Sequence, residues 1–182
     1  MTAPSLREAL ATADCIHGRD ALLASIVKVG GEIDRDYQGK RPLFLTLMQG
    51  GLIFAGHLAL AIEVDCEFDY VHATRYRGRT SGSDLHWIKA PSMSLKGRDV
   101  LLVDDILDEG KTLAAVCDWC IAQGAGTVRI AVLAVKNHDR CVPGLKADYV
   151  GVEVPDRYVF GFGMDYYEQG RNLPAIYAVH GA

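Results

Sequence analysis

The chain has 182 residues, 49% of them apolar, which is enough for one domain with its own hydrophobic core. Its formal net charge of −4 includes no basic surplus, and this argues against nucleic acid as the main partner. It contains no apolar run of about 18 residues that could span a membrane, and its first residues lack the features of a secretory signal. We therefore expect a single-domain cytoplasmic protein.

The first half of the chain predicts alternating helices and strands. Ser5, followed three residues later by Glu8, has the pattern of a capping box and predicts a short helix. The other elements predicted in this half are a helix over 20–37, a strand over 43–47, a helix over 52–61, a strand over 64–72, a polar loop over 74–84 and a short strand over 85–89.

The second half continues the alternation as far as residue 135. An apolar strand over 100–103, a turn over 106–110, a helix over 111–123 and an apolar strand over 128–135 are predicted. Strands of this apolar character, separated by helices, indicate a parallel sheet covered on both faces. Residues 136–171 break the alternation and contain only short β-like pieces.

The segment from Val100 to Leu113 carries the clearest chemical signal. Two carboxylates, Asp104 and Asp105, follow the apolar strand, and Gly110 precedes the helix. The N–H groups of residues 109–112 can converge on one phosphate, assisted by the helix dipole. Acids repel phosphate but suit hydroxyl groups or Mg²⁺, so the segment predicts a sugar-phosphate site. The glycine spacing of a P-loop is absent.

This segment resembles the 5-phosphoribosyl-1-pyrophosphate (PRPP) motif of type I phosphoribosyltransferases. The rest of the chain resembles the hypoxanthine-guanine branch of that family. The stretches that carry the second resemblance are Met48–Gly51, Arg75–Tyr76, Val135–Lys136, Pro155–Gly161, Met164–Tyr166 and Arg171. The resemblance implies an α/β fold with a central parallel sheet, whose core spans about 38–135. It also implies a small hood made from the N-terminus and about 136–182, and assembly into homodimers or homotetramers.

The resemblance also assigns residues to substrates. It implies that PRPP is bound by Asp104, Asp105, Asp108, Glu109, Gly110, Lys111 and Thr112. It implies that pyrophosphate is contacted by Gln49, Gly50, Arg75, Tyr76 and Arg171, and the purine by Lys136, Tyr158, Val159 and Asp165. Mg²⁺ is the implied cofactor, with Asp104, Asp105 and Asp165 as its ligands, and the loop over 74–84 is the implied lid.

Particular roles follow from the same resemblance. Asp108 is the implied general base that accepts the N7 proton of the base. Lys136 is implied to donate to O6 of a 6-oxopurine, and Tyr158 to stack on its ring. The chain departs from the common family pattern at Gln49, Arg75 and Glu109. Glu109 is compatible with a phosphate site only if its carboxylate points away from the phosphate.

Two other functions remain open at this stage. One is a regulator with the same fold that senses PRPP or a nucleotide without catalysis, and retention of Asp108 argues against it. The other is a transferase for a different acceptor, such as xanthine, adenine or a pyrimidine. Lys136 and Tyr158 favour 6-oxopurines but do not separate hypoxanthine and guanine from xanthine.

Overall fold

The computed structural model describes residues 5–75 and 85–180. It contains four helices and nine strands within these ranges. In chain order they are α1 (Leu6–Thr12), β1 (Asp14–His17), α2 (Arg19–Asp36), β2 (Leu43–Met48), α3 (Leu52–Ala61), β3 (Glu67–Arg75), β4 (Leu85–Lys89), β5 (Asp99–Leu107), α4 (Lys111–Ala122), β6 (Thr127–Lys136), β7 (Tyr149–Val154), β8 (Val159–Phe160) and β9 (Ile176–Ala178).

A six-stranded sheet forms the centre of the fold, in the order β4-β3-β2-β5-β6-β7. All neighbouring strands are parallel except β4, which pairs antiparallel with β3 at one edge. The carboxyl ends of the parallel strands therefore share one edge of the sheet, where open α/β sheets bind their ligands. The predicted α/β class with a central, largely parallel sheet is confirmed.

Helices cover both faces of the sheet, which explains why β2 and β5 are apolar on both sides. Leu101 and Val103 of β5 pack on the same side as α2 and α3, together with Phe44 and Phe54. The alternate residues of β5 face the opposite side and pack with α4. They form a second cluster that includes Val100, Leu102, Leu113, Val116 and Cys120.

The hood is a separate three-stranded antiparallel sheet in the order β1-β9-β8. It joins strand β1 near the N-terminus to strands β8 and β9 of the C-terminal tail. Helix α1 begins with the predicted capping box, in which the backbone N–H of Ser5 donates to Glu8 at 2.8 Å and the N–H of Glu8 donates to the Ser5 hydroxyl at 3.3 Å. Ala9 of this helix packs against Phe160 and Tyr166 in the hood.

Three elements differ from the prediction. Strand β5 continues through both acids to Leu107, because its ladder with β6 extends to Leu107 and Val135. Strand β3 begins at Glu67, since the N–H of Val64 instead donates to the side chain of Asp34. Strand β7 pairs in parallel with β6, so residues 149–154 belong to the central sheet and not to the hood. Apolar and polar residues alternate too irregularly in β7 for the sequence to predict this pairing.

Within residues 5–75 and 85–180, every helix is too short or too polar to cross a membrane.

Candidate active site

Two adjoining cavities open at the carboxyl edge of the sheet. The first, of about 340 Å³, is lined by Asp104, Asp105, Ile106, Asp108, Glu109, Gly110, Lys111, Thr112 and Leu113. The second, of about 330 Å³, is lined by Asp105, Ile106, Asp108, Lys136, Tyr158, Val159, Met164 and Asp165. The residues predicted to hold PRPP through the 104–112 segment thus share one cavity, and those predicted to hold the purine share the other. Asp105, Ile106 and Asp108 line both.

The start of α4 forms the anion-binding end of the first cavity. Gly110 has φ +73°, and a Cβ there would overlap the side chain of Leu145. The first helical hydrogen bond runs from the N–H of Ala114 to the carbonyl of Gly110 at 2.8 Å, so the preceding amides have no partner within the helix. The carboxylate of Glu109 forms a salt bridge with Lys111, whose positive charge offsets it. This end of the cavity therefore suits a phosphate monoester.

The paired acids lie in the wall between the two cavities. The backbone N–H of Asp105 donates to the carboxylate of Asp104 at 2.9 Å. Burial and the neighbouring Asp105 charge raise the pKa of Asp104 well above its ordinary value. Burial also raises the pKa of Asp105, although the charge of Arg171 opposes the rise. Two acids with raised pKa values favour partners that bring positive charge or hydroxyl donors.

The Asp104→Asn variant is expected to stabilise the protein without ligands at neutral pH. Because folding raises the pKa of Asp104, the wild type is most stable below the ordinary value of 3.8 and loses stability as the pH rises through the raised pKa. Asparagine keeps the oxygen that accepts from Asp105 but carries no charge. Thermal unfolding should give the variant a higher Tm than the wild type at pH 7, with the difference shrinking towards pH 4. A lower Tm at pH 7 would contradict this explanation.

The carboxylate of Asp108 is hydrogen-bonded to a lysine and a histidine. Lys136 donates to its Oδ2 at 2.5 Å, and the His138 ring lies with Nε2 2.6 Å from its Oδ1. Burial alone would raise the pKa of Asp108, but the hydrogen bonds from Lys136 and His138 together hold it below its ordinary value. Asp108 is therefore a carboxylate at neutral pH. Its side chain remains 39% exposed, so it can still meet a ligand.

His138 was not among the predicted site residues. It lies two positions after Lys136, where the backbone turns and the N–H of His138 donates to the carbonyl of Lys136 at 3.1 Å. Only this proximity to Lys136 in the sequence could have suggested it.

An aromatic cluster borders the second cavity. Tyr158 lies nearly parallel to Tyr167, with ring centroids 5.9 Å apart and an angle of 13°. Tyr166 meets the Tyr158 ring edge-on at 5.8 Å. The Tyr158 hydroxyl donates to the carbonyl of Asp165 at 3.3 Å. These contacts orient a flat ring at the wall of a cavity that is large enough for a purine. Tyr166 and Tyr167 were not predicted to support Tyr158.

The loop after β2 approaches the acids from the other side. The Met48–Gln49 peptide bond is cis. A Cβ on Gly50 would overlap the carboxylate of Asp105, and a Cβ on Gly163 would overlap the carbonyl oxygen of Gly50. Arg171 donates to the carbonyl of Gly163 at 2.8 Å. The backbones of these loops therefore cross next to Asp105.

The other residues predicted to contact pyrophosphate are only partly brought together. Gly50 and Arg171 lie at this crossing, whereas Gln49 is exposed in the same loop. Arg75 ends β3, and its side chain and Tyr76 lie outside the described residues, as does most of the predicted lid.

The predicted Mg²⁺ ligands do not form a ready-made cluster. Asp165 is 2.9 Å from Arg171, which occupies its carboxylate. No group of three or more His, Cys, Asp or Glu side chains in residues 5–75 and 85–180 is arranged to hold a metal ion. Proteins commonly hold Mg²⁺ through one or two carboxylates, with substrate phosphates and water as the other ligands. Asp104 and Asp105 fit that kind of site.

Comparisons with known proteins agree with this geometry. The family model described as "Phosphoribosyl transferase domain" matches residues 14–169. The hypoxanthine-guanine phosphoribosyltransferase of Streptococcus pyogenes is 33% identical over 162 residues, which cover 88% of this chain and 89% of that protein. That of Streptococcus pneumoniae is 35% identical over 158 residues, or 86% and 87% of the two chains.

Solved structures show the same fold. The crystal structure of a hypoxanthine phosphoribosyltransferase from Staphylococcus aureus matches with a TM-score of 0.85 and 28% identity, over 91% of this chain and 90% of that one. A hypoxanthine-guanine phosphoribosyltransferase from Bacillus anthracis matches with a TM-score of 0.83 and 28% identity, over 91% and 97%. The family match and the relatives at 33–35% identity each cover most of the chain. The chain therefore belongs to the phosphoribosyltransferase family.

Proposed function

We propose that this protein transfers the 5-phosphoribosyl group of PRPP to hypoxanthine or guanine, which yields IMP or GMP and pyrophosphate. The observation that carries the proposal is the pair of adjoining cavities that share Asp105 and Asp108. One offers helix amides and paired acids to a sugar phosphate, and the other offers an aromatic ring and a lysine to a base. The names of the relatives from Streptococcus support the same activity.

The acid pair suits the chemistry at the sugar. Positive charge develops on the ribose as pyrophosphate leaves C1 and the purine nitrogen attacks. Asp104 and Asp105 accept hydrogen bonds from the ribose hydroxyls, and their negative charge stabilises the developing cation. Burial raises the pKa of both acids, and a positive charge that binds or develops beside them favours their ionised form.

Asp108 suits proton transfer from the base. In the free protein both of its oxygens are engaged, by Lys136 and His138. When Lys136 turns to O6 of the purine, Oδ2 of Asp108 is released and accepts the N7 proton. Loss of the lysine partner also removes one of the interactions that hold the pKa of Asp108 down, so the carboxylate becomes a stronger base as the purine binds.

We propose Mg²⁺ as the cofactor on the basis of the donor set. Asp104 and Asp105 would hold it, and Asp165 would join them only if Arg171 turned to another anion. Asp104 and Asp105 would hold the ion where it would supply positive charge to a departing pyrophosphate. A chelator should therefore abolish turnover, and added Mg²⁺ should restore it.

A direct assay tests the proposal and separates it from the alternatives. Purified protein is given PRPP, Mg²⁺ and one base at a time (hypoxanthine, guanine, xanthine or adenine), and nucleotide is measured by ultraviolet absorbance. Turnover of hypoxanthine and guanine supports the proposal. Turnover of xanthine alone would make the protein a xanthine transferase, and PRPP binding without turnover of any base would make it a sensor.

Lys136 is expected to favour 6-oxopurines. Its side chain is 12% exposed and ends at the second cavity, where an ammonium group donates to O6 but finds no acceptor on the amino group of adenine. Lys136→Met should lower kcat/KM for hypoxanthine about 10-fold, the value of one charge-assisted hydrogen bond. Lys28→Met, at an exposed position on α2, is the matched control. Equal kcat/KM for Lys136→Met and wild type would remove Lys136 from base recognition.

We also propose that the protein forms a homodimer or homotetramer. Large apolar side chains are exposed on α3 and on the neighbouring edge of the sheet, namely Leu52, Leu60, Phe68, Tyr70 and Ile88. Phe68 contacts the ring of Phe44 at 5.1 Å, which places it on the α3 side of the sheet. A second copy of the chain would remove these side chains from water. Sedimentation equilibrium gives the assembly mass directly.

A further inference from the structure

We propose that His138 is a positioning residue for the general base: it holds one oxygen of Asp108 in place while the other exchanges Lys136 for the substrate proton. The inference rests on the proposed function, since it concerns the residue that accepts the N7 proton in that reaction. Asp108 is the reacting group, and His138 acts through it.

The geometry divides the two oxygens of Asp108 between two partners. Lys136 donates to Oδ2 at 2.5 Å, and Nε2 of His138 is 2.6 Å from Oδ1. The His138 side chain is only 3% exposed, whereas that of Asp108 is 39% exposed. One oxygen of the carboxylate therefore faces a buried ring, and the other faces a lysine that lines the second cavity.

The backbone determines which nitrogen of His138 carries the proton. The N–H of Arg140 donates to Nδ1 of His138 at 3.0 Å. A nitrogen that accepts a hydrogen bond carries no proton, so the neutral ring must carry its proton on Nε2. Nε2 then donates to Asp108. The loop thus selects the tautomer that can hold the carboxylate.

The loop that carries His138 is itself anchored. Arg140 forms a two-point pair with Asp156, with nitrogen–oxygen distances of 2.8 and 2.6 Å. The N–H of Asn137 donates to the carbonyl of Val154 at 2.9 Å, next to β7. Asp156 lies two residues before Tyr158, so the same pair joins the His138 loop to the segment that carries the predicted stacking ring. A group held in this way loses little freedom when the substrate binds.

This arrangement gives His138 and Lys136 different tasks during the reaction. As the purine enters, Lys136 moves from Oδ2 to O6, and the N7 proton passes to the freed Oδ2 while the N7–H electrons stay on the ring. His138 keeps its hydrogen bond to Oδ1 throughout. Because Nδ1 is occupied by the N–H of Arg140, the ring has no free site for the proton. The proton therefore stays on Asp108, and His138 does not relay it.

Two variants distinguish the effect of the His138 hydrogen bond from the effect of its side-chain volume. His138→Gln retains an N–H donor near the position of Nε2, and His138→Leu retains similar volume without a donor. We expect His138→Leu to lower kcat about 10-fold, with KM for PRPP within about 2-fold of wild type, because misplacing a general base affects the chemical step. His138→Gln should recover most of the lost kcat. His180→Leu, at a side chain that is 76% exposed in the hood, is the matched control.

The wild-type assay and a spectroscopic measurement distinguish failure of the proposed function from failure of the positioning role of His138. If wild type forms no nucleotide, the proposed function fails; if wild type is active and both His138 variants match it, the positioning role fails. Nitrogen-15 NMR of the wild type should show the His138 proton on Nε2 and not on Nδ1, with a bonded Nε2–H signal that shifts in Asp108→Asn. A proton on Nδ1 would overturn the proposal even if His138→Leu did not fold.

Discussion

Asp108→Asn is expected to lower kcat by at least roughly 10²-fold, the usual contribution of a general base. Asparagine keeps the shape of the side chain and can still accept from Lys136 or His138, but it cannot take a proton from N7. The phosphate-binding amides of α4 and the Asp104–Asp105 pair are untouched by the change. KM for PRPP should therefore stay close to the wild-type value.

Steady-state kinetics with PRPP and hypoxanthine measure both constants. Asp139→Asn is the matched control, because Asp139 is exposed in the same region and follows His138 directly. The wild-type kcat/KM for hypoxanthine should fall as the pH drops through the pKa of Asp108 in the free enzyme, which is held below its ordinary value, so the neutral range should lie on a plateau. An Asp108→Asn enzyme with wild-type kcat at neutral pH would remove Asp108 from the role of base.

The part of the site whose chemistry follows from the residues themselves is carried by a single short segment, whereas Lys136, Tyr158 and Asp165 were assigned to the site by the family resemblance. Asp104, Asp108 and Gly110 occupy one strand, turn and helix, so their chemistry follows from their spacing along the chain. Position 110 requires glycine, because its φ is positive and a Cβ there would overlap the side chain of Leu145. The end of β5 was placed too early because an acid pair usually marks a strand end, whereas the ladder with β6 continues past it.

The parts that were missed depend on contacts between distant segments. His138 meets Asp108 across 30 residues of sequence, and Gly163 meets Gly50 across more than a hundred. Neither contact leaves a local pattern, because each depends on how the hood and the loops after β2 and β6 pack over the sheet edge. The same reason explains β7, whose place beside β6 is determined by packing against α2 as much as by its own residues.

Gly50→Ala is the second change expected to have a large effect. The new Cβ would overlap Oδ2 of Asp105 and lie 2.6 Å from its Cγ. Asp105 cannot easily retreat, because it is buried within β5, and Gly50 cannot retreat because Gly163 lies against its carbonyl. We expect kcat/KM for PRPP to fall roughly 10²-fold, the effect of displacing reacting groups by about 1 Å. Overpacking should also lower the free energy of unfolding by about 1–3 kcal/mol.

Gly31→Ala provides a control with the same chemical change. Gly31 lies in α2, and a Cβ there would meet nothing within 4 Å. Because alanine favours helix over glycine by about 0.5–1 kcal/mol, this variant should gain stability and keep its kinetics. PRPP titrations and urea unfolding of both variants distinguish a spatial effect from a general cost of added methyl groups. Wild-type kcat/KM in Gly50→Ala would mean that Asp105 can move without loss of function, and that the close approach of the Gly50 loop to the acid pair is not what positions PRPP.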